Sequence, residues 1–413
     1  MRMKKLMILA TCAAIAAVAC TKIHEVTPVT QGPEIGFGSW TNTLTKAPYS
    51  TGSFVKYDAF GVFATKTVGT GGAAVQSIVF DDQKVMYDGA KWGYTPAKYW
   101  DVTAENYTFF ALLPFKDIGN DNKNDLLVYP ESPAGDYTHR GLFKINEVTF
   151  NNPSTNDQDI LVANKYIRSK SGSALPTTDV ELAFNHMTSL IDVKAKIDAS
   201  LGSLAGDGQS VQVTVTDLKL TDIRDKGTFA VTGYDGSNKP TFSGTYGWTP
   251  TPATPATPST TDYVVIKSGE SPVGTAIVVY TEVASASGAA TTYDTDGNAS
   301  STTGTAKELF KDYVLMPQDL TNGQKLVLSY KIEVVTTSTG VVVSSATYTD
   351  VPVTLQNFIK TDVTTNTGTA ITGWLPGYHY TYTLTLGAKP IVFGTVSVNA
   401  WTNEDPGYYY IVR

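Results

Sequence analysis

Apolar and polar residues alternate along almost the whole chain, and no long stretch carries the 3.6-residue period of an amphipathic helix. The pattern predicts strands at residues 34–40, 53–64, 75–80, 84–87, 91–94, 106–114, 126–129, 141–150 and 159–163. A long alternating run, 179–197, opens the second half. It is followed by strands at 211–223, 227–231, 262–266, 276–281, 312–316, 325–335, 340–355, 374–386 and 391–401. Asp88-Gly89, between Val85-Met86-Tyr87 and Lys91-Trp92, marks a hairpin because both residues tolerate positive φ, and Asn322-Gly323 marks another. Strands spaced by turns every ten or so residues fit paired antiparallel sheets better than a parallel α/β fold.

Composition supports the same class. The chain is rich in Thr, Val, Tyr and Gly and holds only 4 His and 6 Met among 413 residues. Stiff and aromatic side chains suit pleated, half-buried surfaces, so the expected fold class is all-β. Two stretches break the alternation. Residues 248–261 are Thr/Pro/Ala-rich and 284–306 are Ser/Gly/Ala/Thr-rich, and both are expected as long surface loops. The Pro/Ser/Thr-rich stretch within 170–178 is the best domain boundary, dividing a first domain at 47–175 from a second at 176–413.

The N-terminus reads as a targeting signal. Arg2, Lys4 and Lys5 precede an apolar stretch, 6–18, that is too short to span a bilayer. Ala16-Ala17-Val18-Ala19 then lead into Cys20, so residues 1–19 are an expected signal peptide. The small residues before Cys20 resemble a bacterial lipobox, in which the cysteine becomes the acylated N-terminus. Cys12 fits less well because Thr11 precedes it and the apolar region would be halved. The alternative is an ordinary secretory leader with a chance cysteine. Without the leader, Cys20 is the sole thiol, which leaves no intramolecular disulfide and no thiolate metal cluster. Losing the leader's three basic residues lowers Lys+Arg from 31 to 28 against 38 acids, a net charge of −10. An evenly spread acidic balance argues against nucleic acid as a partner, since basic patches must displace counterions there.

Catalytic and cofactor motifs are absent from the sequence: no Gly-x-Ser-x-Gly, phosphate loop, dinucleotide glycine triad, Cys-x-x-Cys or His-Glu-x-x-His occurs. No enzyme activity, cofactor or metal is expected. His186, in Phe184-Asn185-His186-Met187, is expected as a hydrogen-bonded structural histidine. Residues 117–125 (Asp-Ile-Gly-Asn-Asp-Asn-Lys-Asn-Asp) offer oxygen ligands for calcium, but with a central lysine and irregular spacing a solvated turn fits better. Asp294-Thr295-Asp296-Gly297-Asn298 begins like a calcium loop, yet Thr305 stands where the terminal glutamate belongs.

Several strings, in order along the mature chain, resemble the fimbrillin family, the pilus subunits of Bacteroidetes. They include Glu34-Ile35-Gly36-Phe37, Thr45-Lys46-Ala47, Phe60-Gly61-Val62-Phe63-Ala64, Tyr99-Trp100 and Phe109-Phe110-Ala111-Leu112-Leu113-Pro114. Asp159-Ile160-Leu161-Val162-Ala163, Leu182-Ala183-Phe184-Asn185-His186-Met187 and Val314-Leu315-Met316-Pro317-Gln318 continue the series. Trp374-Leu375-Pro376-Gly377-Tyr378-His379-Tyr380 and Ile391-Val392-Phe393 through Trp401 complete it. The resemblance implies two transthyretin-like β-sandwich domains, no enzymatic activity, and a lipoprotein precursor at the outer membrane and cell surface. It also implies assembly with other pilus subunits: a trypsin-like protease cuts beyond the first strand, and a neighbour's strand fills the groove left behind.

These implications attach to particular residues. Residues 20–46 would form a lipidated propeptide holding a displaceable first strand, with Ile35, Phe37 and Trp40 as its large apolar anchors. Lys46-Ala47 is the tryptic site or an ordinary solvated loop, and Pro48 beside it would slow cleavage. Ile391, Val392, Phe393, Val396 and Val398 lie on a candidate donor strand, which is equally read as the last strand of its own domain. A competing function is a non-polymerising surface lipoprotein that binds glycans of a host or bacterial surface. Tyr49, Trp92, Trp248, Tyr408, Tyr409 and Tyr410 would stack on the sugars.

Overall fold

The computed structural model describes residues 31–38, 59–88, 91–128, 140–150, 159–251, 260–267, 277–284, 290–293, 299–300, 307–360, 369–388, 392–400 and 411–412. Cys20, Trp40, Lys46, Ala47 and Ile391 lie outside them. Among the described residues the regular structure is β-strand with short 3₁₀ turns.

The first half contributes β1 (Gln31–Glu34), β2 (Ala59–Val68), β3 (Val75–Tyr87), β4 (Trp92–Gly93), β5 (Tyr99–Asp101) and β6 (Ala104–Leu113). β7 (Lys144–Thr149), β8 (Leu161–Ala163), β9 (Tyr166–Ser169) and β10 (Leu182–His186) follow. The second half begins with β11 (Ser189–Ile197), β12 (Gln209–Arg224), β13 (Lys226–Tyr234), β14 (Pro240–Phe242), β15 (Trp248–Pro250) and β16 (Thr260–Lys267). Next come β17 (Ile277–Ala284), β18 (Ala290–Tyr293), β19 (Ala299–Ser300), β20 (Lys307–Leu315), β21 (Gln318–Asp319), β22 (Lys325–Thr336) and β23 (Val342–Thr354). β24 (Ile359–Lys360), β25 (Thr369–Ala370), β26 (Gly373–Trp374), β27 (Tyr378–Leu386), β28 (Val392–Ala400) and β29 (Ile411–Val412) complete the chain.

Strands β10, β8, β6, β2, β3 and β4 form one sheet in that order, with β29 at its edge and β9 also on β6. An unbroken apolar run such as Phe109-Phe110-Ala111-Leu112-Leu113 suits a strand covered on both faces. That is what happens here. Phe109, Ala111 and Leu113 join one core with Phe60, Phe80, Trp100 and Phe184, whereas Phe110 and Leu112 join another with Phe143, Phe229 and Trp248. The second of these cores draws on both halves of the chain. β13 pairs antiparallel with β7 (Phe229↔Ile145, Gly227↔Val148) and with β15 (Phe229↔Trp248), so residues 226–250 fold back onto the first half.

The second half is a β-sandwich. One sheet runs β20-β11-β27-β28-β24-β25 and the other β19-β18-β17-β12-β22-β23, with β16 also on β12. Their inner faces share one core, to which the alternating positions Ile191, Val193 and Ala195 of β11 and Leu326, Leu328, Tyr330, Ile332 and Val334 of β22 contribute.

Several expectations change: 75–80 and 84–87 join in β3, the described part of 126–129 holds only the isolated bridge Leu127↔Ile145, and 374–386 divides into β26 and β27. The run 179–197 is two strands, not one: the chain crosses between sheets at Met187-Thr188, where the Trp248 indole donates to Met187 O (2.6 Å) and Gly377 N to Thr188 O (2.8 Å). The Thr/Pro-rich stretch begins in a strand, with Trp248 buried and β15 paired. The Ser/Gly-rich stretch carries β18 and β19, which extend the β17 edge.

Candidate assembly interface

Residues 31–38 read Gln-Gly-Pro-Glu-Ile-Gly-Phe-Gly, a segment too broken by glycine and proline to form a regular interior strand. It is held on two sides instead. β1 pairs antiparallel with β5 through Gln31↔Asp101 and Glu34↔Tyr99. Ile35 N donates to Lys98 O at 2.8 Å, and the Tyr94 hydroxyl donates to Ile35 O at 2.7 Å. Burial pushes the Tyr94 phenol up, so it stays protonated and remains a donor. The segment then changes partner: Val180 N donates to Gly36 O (2.8 Å) and Gly38 N to Val180 O (3.0 Å), forming a parallel bridge at Phe37.

Both large side chains point into the first core. Ile35 is fully buried, and the Phe37 ring packs against Phe60, Tyr94 and Phe109 edge-on and against Phe80 at a tilt. Burying two such side chains contributes roughly 1.5–3 kcal/mol each. A Cβ at position 36 would stand 2.1 Å from Asp179 Oδ1, so any side chain there requires the Asp179 carboxylate to move.

The wall on the Val180 side is braced by Arg168, a buried cation on β9. Its guanidinium donates to Thr178 O (2.8 Å), Thr178 Oγ1 (2.6 Å), Asp179 O (2.9 Å), Pro176 O (3.4 Å) and the Tyr166 hydroxyl. It also lies over the Trp100 and Tyr166 rings at 5.3 and 5.4 Å. Sequence reasoning missed this residue; the Tyr-Ile-Arg-Ser strand gives no sign that its arginine turns inward.

Two residues beyond Val180, Leu182 pairs with Val412 and Ala183 with Ile411. Segments near both ends of the chain therefore meet one short run of backbone, 180–183. The fimbrillin-like family model matches residues 45–401. The chain belongs to the fimbrillin-like family. The matched stretch starts after the 31–38 segment and ends before β29, so both elements at this run lie outside it.

Among solved structures, the fimbrillin-like chain is similar to a fimbrial protein from Bacteroides vulgatus, with 19% identity over 83% of this chain and 93% of that one and a TM-score of 0.51. At that identity the likeness speaks for a shared fold. A fimbrilin from Porphyromonas gingivalis aligns over 90% of this chain and 98% of that one, at 10% identity and a TM-score of 0.34. No curated protein matches the chain. Family membership makes this a pilus-type surface subunit.

The remaining sequence-selected residues fall as follows. The candidate donor strand β28 is an interior strand, antiparallel to β27 (Tyr380↔Val398) and parallel to β24 (Lys360↔Val396). Val396 is fully buried and Val398 packs on the same core; Val392 and Phe393 belong to the same strand. Trp92 and Trp248 are both buried in cores, which removes them as sugar platforms. Tyr49, Tyr408, Tyr409 and Tyr410 lie outside the described residues. In the 117–125 loop the carboxylates accept backbone amides: Asp125 from Gly119 N (3.2 Å), Asp117 from Asp121 N (2.9 Å) and Asp121 from Lys123 N (3.1 Å). Residues 294–298 are outside the description. His186 Nδ1 meets Asp159 Oδ2 at 2.8 Å in the core, as a structural histidine does.

Proposed function

We propose that this chain is a structural subunit of a cell-surface pilus, exported as an outer-membrane lipoprotein acylated at Cys20 and assembled by strand exchange after cleavage at Lys46-Ala47. The observation that carries this reading is the mode of attachment of Ile35-Gly36-Phe37-Gly38. Its contacts to β5, Val180 and the aromatic core are all noncovalent, and its one covalent link forward runs through residues 39–58, which include Lys46. Cutting that link turns a built-in plug into a separable ligand. The vacated place keeps an unpaired strand edge and an aromatic pocket, a template for an extended segment from another subunit. The acylated Cys20 leaves with the plug, so the lipid serves transport and assembly.

Of the two C-terminal segments, β29 favours the donor role. It already meets Leu182 and Ala183 beside the plug, whereas β28 would have to break two ladders and uncover Val396. The test is limited trypsin treatment of lipid-free precursor, N-terminal sequencing of the product, and a denaturing gel run without boiling. A product beginning at Ala47 that forms a ladder of polymers is expected. The same product staying monomeric at high concentration overturns strand exchange.

A further inference from the structure

Strand exchange needs the Val180 edge to hold its shape while the plug is out. An edge freed of its neighbour ordinarily relaxes, and recapture then waits on the fraction of molecules in the competent form. We propose that Arg168 is the positioning residue that keeps this edge preformed, an inference that rests on the strand-exchange reading above.

Every hydrogen-bond partner of Arg168 named above is a neutral oxygen, four of them on residues 176–179 immediately before Val180. None of those partners belongs to the plug. The hydrogen bonds of the brace therefore do not require residues 31–38, although Trp100, which lies against the guanidinium, sits on β5, the strand that β1 pairs with. The backbone anchorage of Arg168 does not require them either, because β9 is laddered to β6 through Tyr107↔Arg168 and Asn106↔Ser169. Trp100 and Tyr166 flank the guanidinium plane and fix its orientation. A fork of fixed N–H directions can grip successive backbone carbonyls and the Thr178 hydroxyl together, which a lysine ammonium on a flexible stem cannot reproduce. A buried cation satisfied only by carbonyls and hydroxyls is costly unless every bond is made, so 176–179 is held in one conformation.

The experiment uses the whole chain nicked at Lys46-Ala47, diluted to release its plug, then mixed with a labelled peptide of residues 31–40 over a concentration series. The slope of the observed rate gives association and the intercept gives dissociation. Arg168→Met and Arg168→Lys should each slow association about tenfold and leave dissociation within about twofold, because Arg168 makes no hydrogen bond to the peptide's residues. Thr178→Val removes one brace bond without disturbing the buried cation and should slow association by about threefold. It keeps the test open if the arginine variants fail to fold. Unchanged association in Arg168→Lys and Thr178→Val overturns the inference, as does a faster dissociation with normal association, which marks a packing role. Failure of the wild-type nicked chain to take up peptide at all would instead sink strand exchange itself.

Discussion

Phe37 and Gly36 carry the argument at the residue scale. Phe37 is the largest side chain of the plug and sits among four aromatic rings, so Phe37→Ala should cost the intact chain about 3–5 kcal/mol in denaturant unfolding. In the nicked chain the same change should release the plug outright. A loss under 1 kcal/mol would mean that the ring is not part of a packed core. Gly36 makes a different demand. Ile391-Val392-Phe393-Gly394 repeats the plug's Ile35-Gly36-Phe37-Gly38 with valine at the second place. A side chain there meets Asp179 Oδ1, so it enters only if Asp179 swings away. Gly36→Val should therefore speed loss of the plug from the nicked chain by tenfold or more, and Asp179→Gly should restore much of it. Peptide release followed by fluorescence anisotropy reads both.

The element scale shows what the alternating pattern carries and where it stops. β22 and β27 were legible because every second residue is apolar and one face is buried. The apolar run in β6 was legible as a strand but not as one serving two cores, since an unbroken run records burial without saying against what. The run 179–197 concealed the crossing at Met187-Thr188 because alternation continues through it, and the partners that turn the chain, Trp248 and Gly377, are distant in sequence. Ile35 and Phe37 were legible as buried anchors, with the third expected anchor, Trp40, outside the described residues; the brace was not legible, since an inward arginine on a four-residue strand has no local signature. The donor question belongs to this scale too. A disulfide between cysteines placed at Thr381 and Ser397, which face each other across β27 and β28, would lock β28 in its own sheet. With Cys20 replaced by serine, the oxidised, nicked chain should still form polymers if the segment containing β29 is the donor. Assembly that appears only after reduction would return the role to β28.

The β7–β13 ladder and the core containing Phe110, Phe229 and Trp248 draw on both halves, so the whole molecule should unfold as one cooperative body. Its 23 tyrosines make that cooperativity measurable through pH. Burial pushes Tyr313 and Tyr330 up to about 12, and it raises Tyr94, Tyr234, Tyr263, Tyr380 and Tyr382 as well. Several of these hydroxyls are tied into the fold: Tyr380 accepts from Leu375 N at 2.7 Å, Tyr382 accepts from the Trp374 indole at 2.7 Å, and Tyr330 donates to Gly387 O at 3.0 Å. Unfolded tyrosines ionise near pH 10. The stability that comes from keeping these phenols neutral is thus complete below about pH 10, and it is lost as pH climbs from about 10 towards the folded values. The expected titration has two parts: exposed phenols ionise smoothly near pH 10, then the buried ones ionise together in a steep step at higher pH. The step in phenolate absorbance should coincide with loss of the far-ultraviolet β-sheet signal, because the phenols lie in cores of both halves. Two separated steps would show that the halves unfold independently and that the shared sheet contributes little. A single smooth titration near pH 10 with the sheet signal intact would contradict the burial of these rings.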